Sequence, residues 1–423
     1  MTRILLALAC GLALNIAEAQ STLYTNARIV TLAGAPIDKG NLLVTDGKIA
    51  AVGADVSAPA NAAVVDLAGA EIYPAFITAN TVLGLVEVEA VRATVDTAEI
   101  GTVNPNARAQ VAVNPDSDLL PVARANGVLY AHVVPQVSQP GLIAGSSALM
   151  QLKGWTWEDM TVQSGMGMHV YWPSTRLPPW LPANMLEEAR KQAAKAKQEL
   201  VKAFNDARAY RTARQAGEIS APDSRWEAML PVLEGSMRVF LHASDLNQIR
   251  EALDFAAREK LDVVLVGGQD AWRMAAELKR RNIPVILHSP YDLPLRRSEG
   301  FDTTYRNAAR LHAAGVRFAI ASDASGFQAP LERNLPYSAA QAVSFGLPWE
   351  EGLRAITQRP AEILGIADRL GTLEVGKDAS FIVTNGDPLE VRTRVLSAYI
   401  AGNAIDLSNK HTRLRDKFEQ KYQ

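Results

Sequence analysis

The sequence predicts an α/β fold: a (β/α)8, TIM-like barrel of parallel strands carrying a small β-sandwich built from both chain termini. Three observations predict it. Between about residues 74 and 366, continuous apolar runs such as 263–266, 283–287 and 316–321 alternate with helical stretches such as 246–260 and 271–281. Repeated strand-then-helix units require a parallel sheet with right-handed crossovers. The runs are apolar throughout rather than alternating, as in strands covered on both faces. Finally, short β-type runs broken by turns occupy residues 22–67 and return at 379–400. Each end is too thin to form a core alone, so the two are expected to pair.

Taken in chain order, Arg3, the apolar run 4–14 and Ala17-Glu18-Ala19 form a basic start, a hydrophobic stretch and a small-residue cleavage site. Asn15 and Glu18 interrupt the run well short of the roughly 20 apolar residues a membrane span needs. Residues 1–19 therefore read as a signal peptide, implying export across the inner membrane into the periplasm and no membrane association after cleavage. Residues 20–73 give the first half of the sandwich, with Asp46-Gly47 as a hairpin turn between the runs 41–45 and 48–52. Residues 74–366 give the barrel, including a charged helix over 185–215 that presents a solvated face. Residues 367–408 complete the sandwich, with a turn at Asn385-Gly386-Asp387-Pro388, and 409–423 form a charged helical tail.

Composition narrows the function classes. The 423 residues carry 43 Lys+Arg against 45 Asp+Glu, a net charge of −2, which gives no electrostatic case for a nucleic-acid partner. With 48% hydrophobic residues the chain has material for a large core. Its one cysteine, Cys10, lies inside the leader, so cysteine metal ligands and disulfides are excluded from the mature chain.

In a barrel the chemistry sits at the C-terminal ends of the strands. Those ends carry Asn80-Thr81-Val82, His132, His242, Gly267-Gly268, His288 and Asp323. A carboxylate there can act as a general base, and an imidazole as a metal ligand or proton carrier. Asp323 and His242 are the principal candidates. His312 and His411 read as structural or surface residues.

The residues that follow resemble a known family, the amidohydrolase superfamily, in particular its imidazolonepropionase-like and prolidase-like branch. The resemblance rests on 26–30 with 46–53, on Pro74-Ala75-Phe76-Ile77, on the stretch 324–337 after the strand-end aspartate, and on Ala355-Ile356-Thr357 through Gly371-Thr372-Leu373-Glu374-Val375-Gly376-Lys377-Asp378-Ala379. It implies hydrolysis of amide C–N bonds in small or dipeptide-like substrates by a hydroxide held on one or two divalent metals, zinc first among them.

The chain departs from that pattern at its centre. The His-x-His of the first barrel strand falls on Asn80-Thr81-Val82, and the sixth-strand His on the stretch 266–268. His242 remains as the fifth-strand ligand and Asp323 as the eighth-strand ligand and base. Two protein ligands fall short of the three that a catalytic zinc site ordinarily uses. Asn80 and His288 are the replacement donors expected to complete a site, with Glu87 or Glu89 as further carboxylates; Lys153 is the nearest candidate for a bridging lysine. Two readings follow. One is an exported amidohydrolase with a rebuilt one-metal site and Asp323 as base. The other is a metal-free pseudoenzyme that binds a small molecule or partners an active relative as a homo- or hetero-oligomer. Trp155, Trp157, Tyr171, Trp172 and Trp180 are expected to pack around the barrel mouth, the alternative being an exposed apolar patch for an oligomer partner.

Overall fold

A computed structural model of the chain describes residues 21–138, 141–174, 176 and 182–422. The expected signal peptide with Cys10, and Trp180, lie outside the described residues. Among the described residues no helix is long and apolar enough to cross a membrane.

The chain opens with five strands, β1 (Ser21–Ile29), β2 (Ile37–Thr45), β3 (Lys48–Gly53), β4 (Ala63–Asp66) and β5 (Glu71–Pro74). Ten follow in the central part: β6 (Phe76–Thr81), β7 (Val128–Val133), β8 (Ile143–Ser146), β9 (Ala148–Gln151), β10 (Thr161–Gln163), β11 (Met168–Tyr171), β12 (Val239–Ala243), β13 (Val263–Gly267), β14 (Val285–Leu287) and β15 (Phe318–Ile320). Three close the chain: β16 (Phe381–Thr384), β17 (Val395–Ile400) and β18 (Asn403–Ala404).

The two ends of the chain do meet. β5 pairs antiparallel with β16, Ile72 opposite Val383, and Asp46-Gly47 turns β2 into β3 with both residues at positive φ. Hydrogen bonds join all these strands into one eight-stranded sheet, ordered β18-β17-β16-β5-β1-β2-β3 with β4 beside β1, rather than the two facing sheets expected of a sandwich. The cause is β5, which is bonded to β1 on one side and β16 on the other and so stitches both ends into a single ladder. The apolar face of this sheet buries Tyr24, Ile29, Leu42, Ile49, Ile72 and Phe381 in a core of their own. Phe381 stacks on Tyr399 at 4.5 Å.

The central part is mixed α/β, but its ladders form two sheets, β10-β9-β7-β6 and β15-β14-β13-β12-β11-β8, not one closed ring. β11 to β15 run parallel, as do β6 and β7. The exception is the β8–β9 segment, antiparallel to β11 on one side and to β7 on the other. Ser147 alone separates β8 from β9, so this reversed segment links the sheets covalently. At the opposite edge no ladder joins β15 to β6, and side chains bridge the gap instead. The expected surface helix is present as Ala183–Gln215; it buries Leu200, Ala203, Phe204, Ala207 and Tyr210 along one stripe and leaves its charges in water. The tail helix Lys410–Tyr422 buries no residue.

Candidate functional site

Every residue of β6 is buried, so the polar side chains near its end must find partners inside the protein. Asn80 Nδ2 donates to the Ser322 carbonyl and Ser322 Oγ to the Asn80 carbonyl, both at 3.0 Å. Thr78 Oγ1 donates to Glu332 Oε2 at 2.8 Å, and Glu332 Oε1 contacts Ser322 Oγ. Burial pushes the Glu332 carboxyl up to about 7, helped by the charge of Asp323 and resisted by the hydroxyls of Ser322, Thr81 and Thr78. Asn80 Oδ1 is buried without a partner.

Four imidazoles follow around the strand ends. His132 on β7 is satisfied on both sides: Nδ1 donates to the Ala79 carbonyl at 2.8 Å and Nε2 meets Ser147 Oγ at 2.7 Å. Burial lowers it to about 4, so it is a neutral structural group. His169 on β11 was not singled out from the sequence, yet its Nδ1 lies 2.9 Å from Nε2 of His242 on β12. Parallel register produces the pair: Phe240 stands opposite His169 and His242 opposite Tyr171. Each couple stacks, His169 on Phe240 at 4.8 Å and Tyr171 on His242 at 3.8 Å. Burial drives both His169 and His242 well below the ordinary imidazole range, each pushed further by its histidine neighbours.

His288 lies just beyond β14. Burial lowers its affinity for a proton, and the charge of Asp323 works against that. Its Nε2 is buried and unpartnered, as is Asn307 Oδ1. Both residues line a cavity of about 20 Å³ with Gly267, Leu287 and Asp292, room for one water-sized molecule. Asp323 is exposed after β15; its Oδ1 accepts the Ser325 N–H at 2.8 Å and its Oδ2 makes no hydrogen bond among the described residues. Burial first, then the charge of Asp323, raises Asp292.

The structure thus brings His242, His288 and Asp323 to one face, with Asn80 at its edge. It does not bring Lys153, whose Nζ reaches toward the Ala404 carbonyl at 3.5 Å beside the terminal sheet. Glu89 lies against Gly326 in the loop after Asp323, and Glu87 Oε1 is buried without a partner. Of the aromatic set, Tyr171 and Trp172 pack as expected near the strand ends, while Trp155 is 91% exposed.

The donor set does not fit the divalent metal that the resemblance implies. Among the described residues no three His, Cys, Asp or Glu converge as a metal site. Gly267, at the end of β13, has φ +100°, and a Cβ there would stand 2.6 Å from Ser244 Oγ and 3.1 Å from the Ala243 carbonyl. A side chain at this position is therefore strained by the backbone and must displace the Ser244 hydroxyl. Val82 offers no lone pair, and Asn80, whose amide nitrogen is bonded to Ser322, has only its Oδ1 to offer.

Comparison with known proteins places this geometry. The amidohydrolase family profile matches residues 239–411, which include His242, His288 and Asp323. The chain is 26% identical over 199 residues to the amidohydrolase tasK of Hapsidospora irregularis, covering 45% of this chain and 20% of that one. It is 32% identical over 158 residues to the imidazolonepropionase of Rhizobium meliloti, covering 37% of each. The chain therefore spans well under two thirds of these curated relatives. The solved structure of an amidohydrolase from Thermotoga maritima MSB8 superposes with TM-score 0.80 at 26% identity, over 91% of this chain and 99% of that one. In sequence over residues 239–411 and in fold over 91% of its length, the chain is similar to proteins of the amidohydrolase family, imidazolonepropionases among its sequence relatives.

Proposed function

We propose that this chain is an exported protein that binds a small amide- or dipeptide-like molecule at the strand-end face, and that it has kept the architecture of a C–N-bond hydrolase without its metal-held hydroxide. One observation carries the reading. At the positions where the family's imidazoles are expected stand Asn80, Val82 and Gly267, and the described residues hold no converging three-donor set in their place. What remains is a recognition surface. Asp323 offers a free carboxylate oxygen to a ligand N–H, His242 and His288 give the face a polar floor, and Tyr171 supplies an aromatic wall. We read the two central sheets as a (β/α)8 barrel over 74–366, opened at the β15–β6 edge, with 20–73 and 367–408 as a composite β domain. Association with an active relative is consistent with such a role.

A second reading is favoured by two lone pairs. His288 Nε2 and Asn80 Oδ1 are buried and unpartnered, and with His242 and Asp323 they are donors from which a single zinc site could be rebuilt. Asp323 then serves as base for hydrolysis. The two readings separate in one assay: incubation with Xaa-Pro dipeptides, N-acetyl amino acids and cyclic amides, following thermal stabilisation and product formation by mass spectrometry. The binding reading expects stabilisation without turnover, lost in Asp323→Ala. Turnover lost in the same variant establishes the hydrolase, and an absence of both responses across the panel contradicts small-amide recognition.

A further inference from the structure

The His169–His242 contact constrains which nitrogen of His242 carries its hydrogen. At 2.9 Å the two facing nitrogens must be one donor and one acceptor. With both rings neutral there are two arrangements. If His169 Nδ1–H donates, His169 Nε2 is left as a bare lone pair and His242 carries its hydrogen on Nδ1. If His242 Nε2–H donates, His169 must carry its hydrogen on Nε2. That atom is buried without a partner, so the second arrangement seals an unpaired N–H inside the protein. Unpaired buried N–H donors are rarer and costlier than unpaired acceptors. The first arrangement wins.

His242 Nδ1, by contrast, has no hydrogen-bond partner among the described residues, and the residue is half-buried rather than sealed. His242 stands near the C-terminal end of β12, and Tyr171 stacked at 12° holds the ring plane. A nitrogen bearing a hydrogen offers no lone pair to a cation; it donates. We propose that His169 is a positioning residue that holds His242 in the Nδ1–H form, so that His242 donates a hydrogen bond to the carbonyl oxygen of the bound amide. The residue expected as a metal ligand is thereby a ligand-binding donor. Asp323 on the same face disfavours a carboxylate and selects a neutral carbonyl. This inference rests on the binding reading above and deepens it.

The test is side-chain 15N NMR of the full chain, with the His242 signals assigned through His242→Asn. The expected result is His242 protonated on Nδ1 alone. In His169→Asn the amide nitrogen replaces the Nδ1–H donor and the form is retained; in His169→Phe, which keeps the ring stack on Phe240 but donates nothing, His242 shifts to a mixture. N-methylacetamide, as the amide probe, moves the His242 Nδ1 signal in the wild type and in His169→Asn. His242 protonated on Nε2 in the wild type overturns the proposal, even if no variant folds. An unchanged form in His169→Phe removes the positioning role, and an Nδ1 signal unmoved by N-methylacetamide removes the ligand contact. Metal content is read separately: a metal-free protein with Nε2-protonated His242 refutes this inference alone, whereas bound metal refutes the binding reading whatever the form of His242.

Discussion

Asn80 and Ser322 exchange two hydrogen bonds of 3.0 Å across the edge where β15 and β6 share no ladder. Glu332 sits behind this contact, holding Thr78 from one side of the seam and Ser322 from the other. Asn80, which stands where the family resemblance places a metal-binding histidine, here serves to join two sheets.

Glu332 makes that seam sensitive to pH. Its carboxyl titrates near 7 when folded against an ordinary value of 4.5. The folded state therefore binds more protons than the unfolded state between those values, and stability falls as pH rises through that window. The shift corresponds to something on the order of 3 kcal/mol at full burial. Glu332→Gln mimics the neutral form, donating to Ser322 and accepting from Thr78. The buried histidines slope the opposite way, so the quantity to measure is the difference between variant and wild type in urea unfolding. It is expected to be near zero at pH 4.5, to grow in favour of Glu332→Gln up to pH 7, and to stay level above.

Asp270 should carry much of the order in the loop that follows β14. It is 1% exposed, accepts a bidentate pair from Arg296 at 2.9 and 2.7 Å, and receives the Leu246 N–H at 2.9 Å. Asp270→Ala is expected to cost about 2 kcal/mol in unfolding free energy, because a helix-start amide and a guanidinium lose their common partner. Hydrogen exchange should accelerate in 290–300 more than in the core strands.

Gly267→His should fail to regain the missing ligand. A side chain at φ +100° is strained by roughly 1–3 kcal/mol, and its Cβ collides with Ser244. Differential scanning calorimetry is expected to show a lower melting temperature, and zinc titration no gain in affinity. Zinc bound tightly by this variant would show that the β13 end can accommodate a ligand.

What the sequence made legible was the part governed by periodicity. The apolar runs became β13, β14 and β15, and Asp46-Gly47 made its hairpin, because burial and positive-φ preference act locally. The departures came from long-range pairing. β5 merges the terminal strands into one sheet because it has two partners distant in sequence, and the β8–β9 reversal turns on a single residue, Ser147. His169 went unseen because its role depends on parallel register with β12, which places Tyr171 rather than His169 opposite His242. The signal that pointed to it was weak: His169 and Tyr171 alternate in a four-residue strand and so share one face.

The most direct test of the central claim is the metal content of the purified protein by mass spectrometry, after reconstitution with zinc, manganese or iron, beside a His242→Ala/Asp323→Ala double variant prepared identically. The account predicts far less than one equivalent in both proteins, with no difference between them. Close to one equivalent in the wild type, lost in the double variant, would contradict it and show that His242 and Asp323 hold a rebuilt hydrolytic centre.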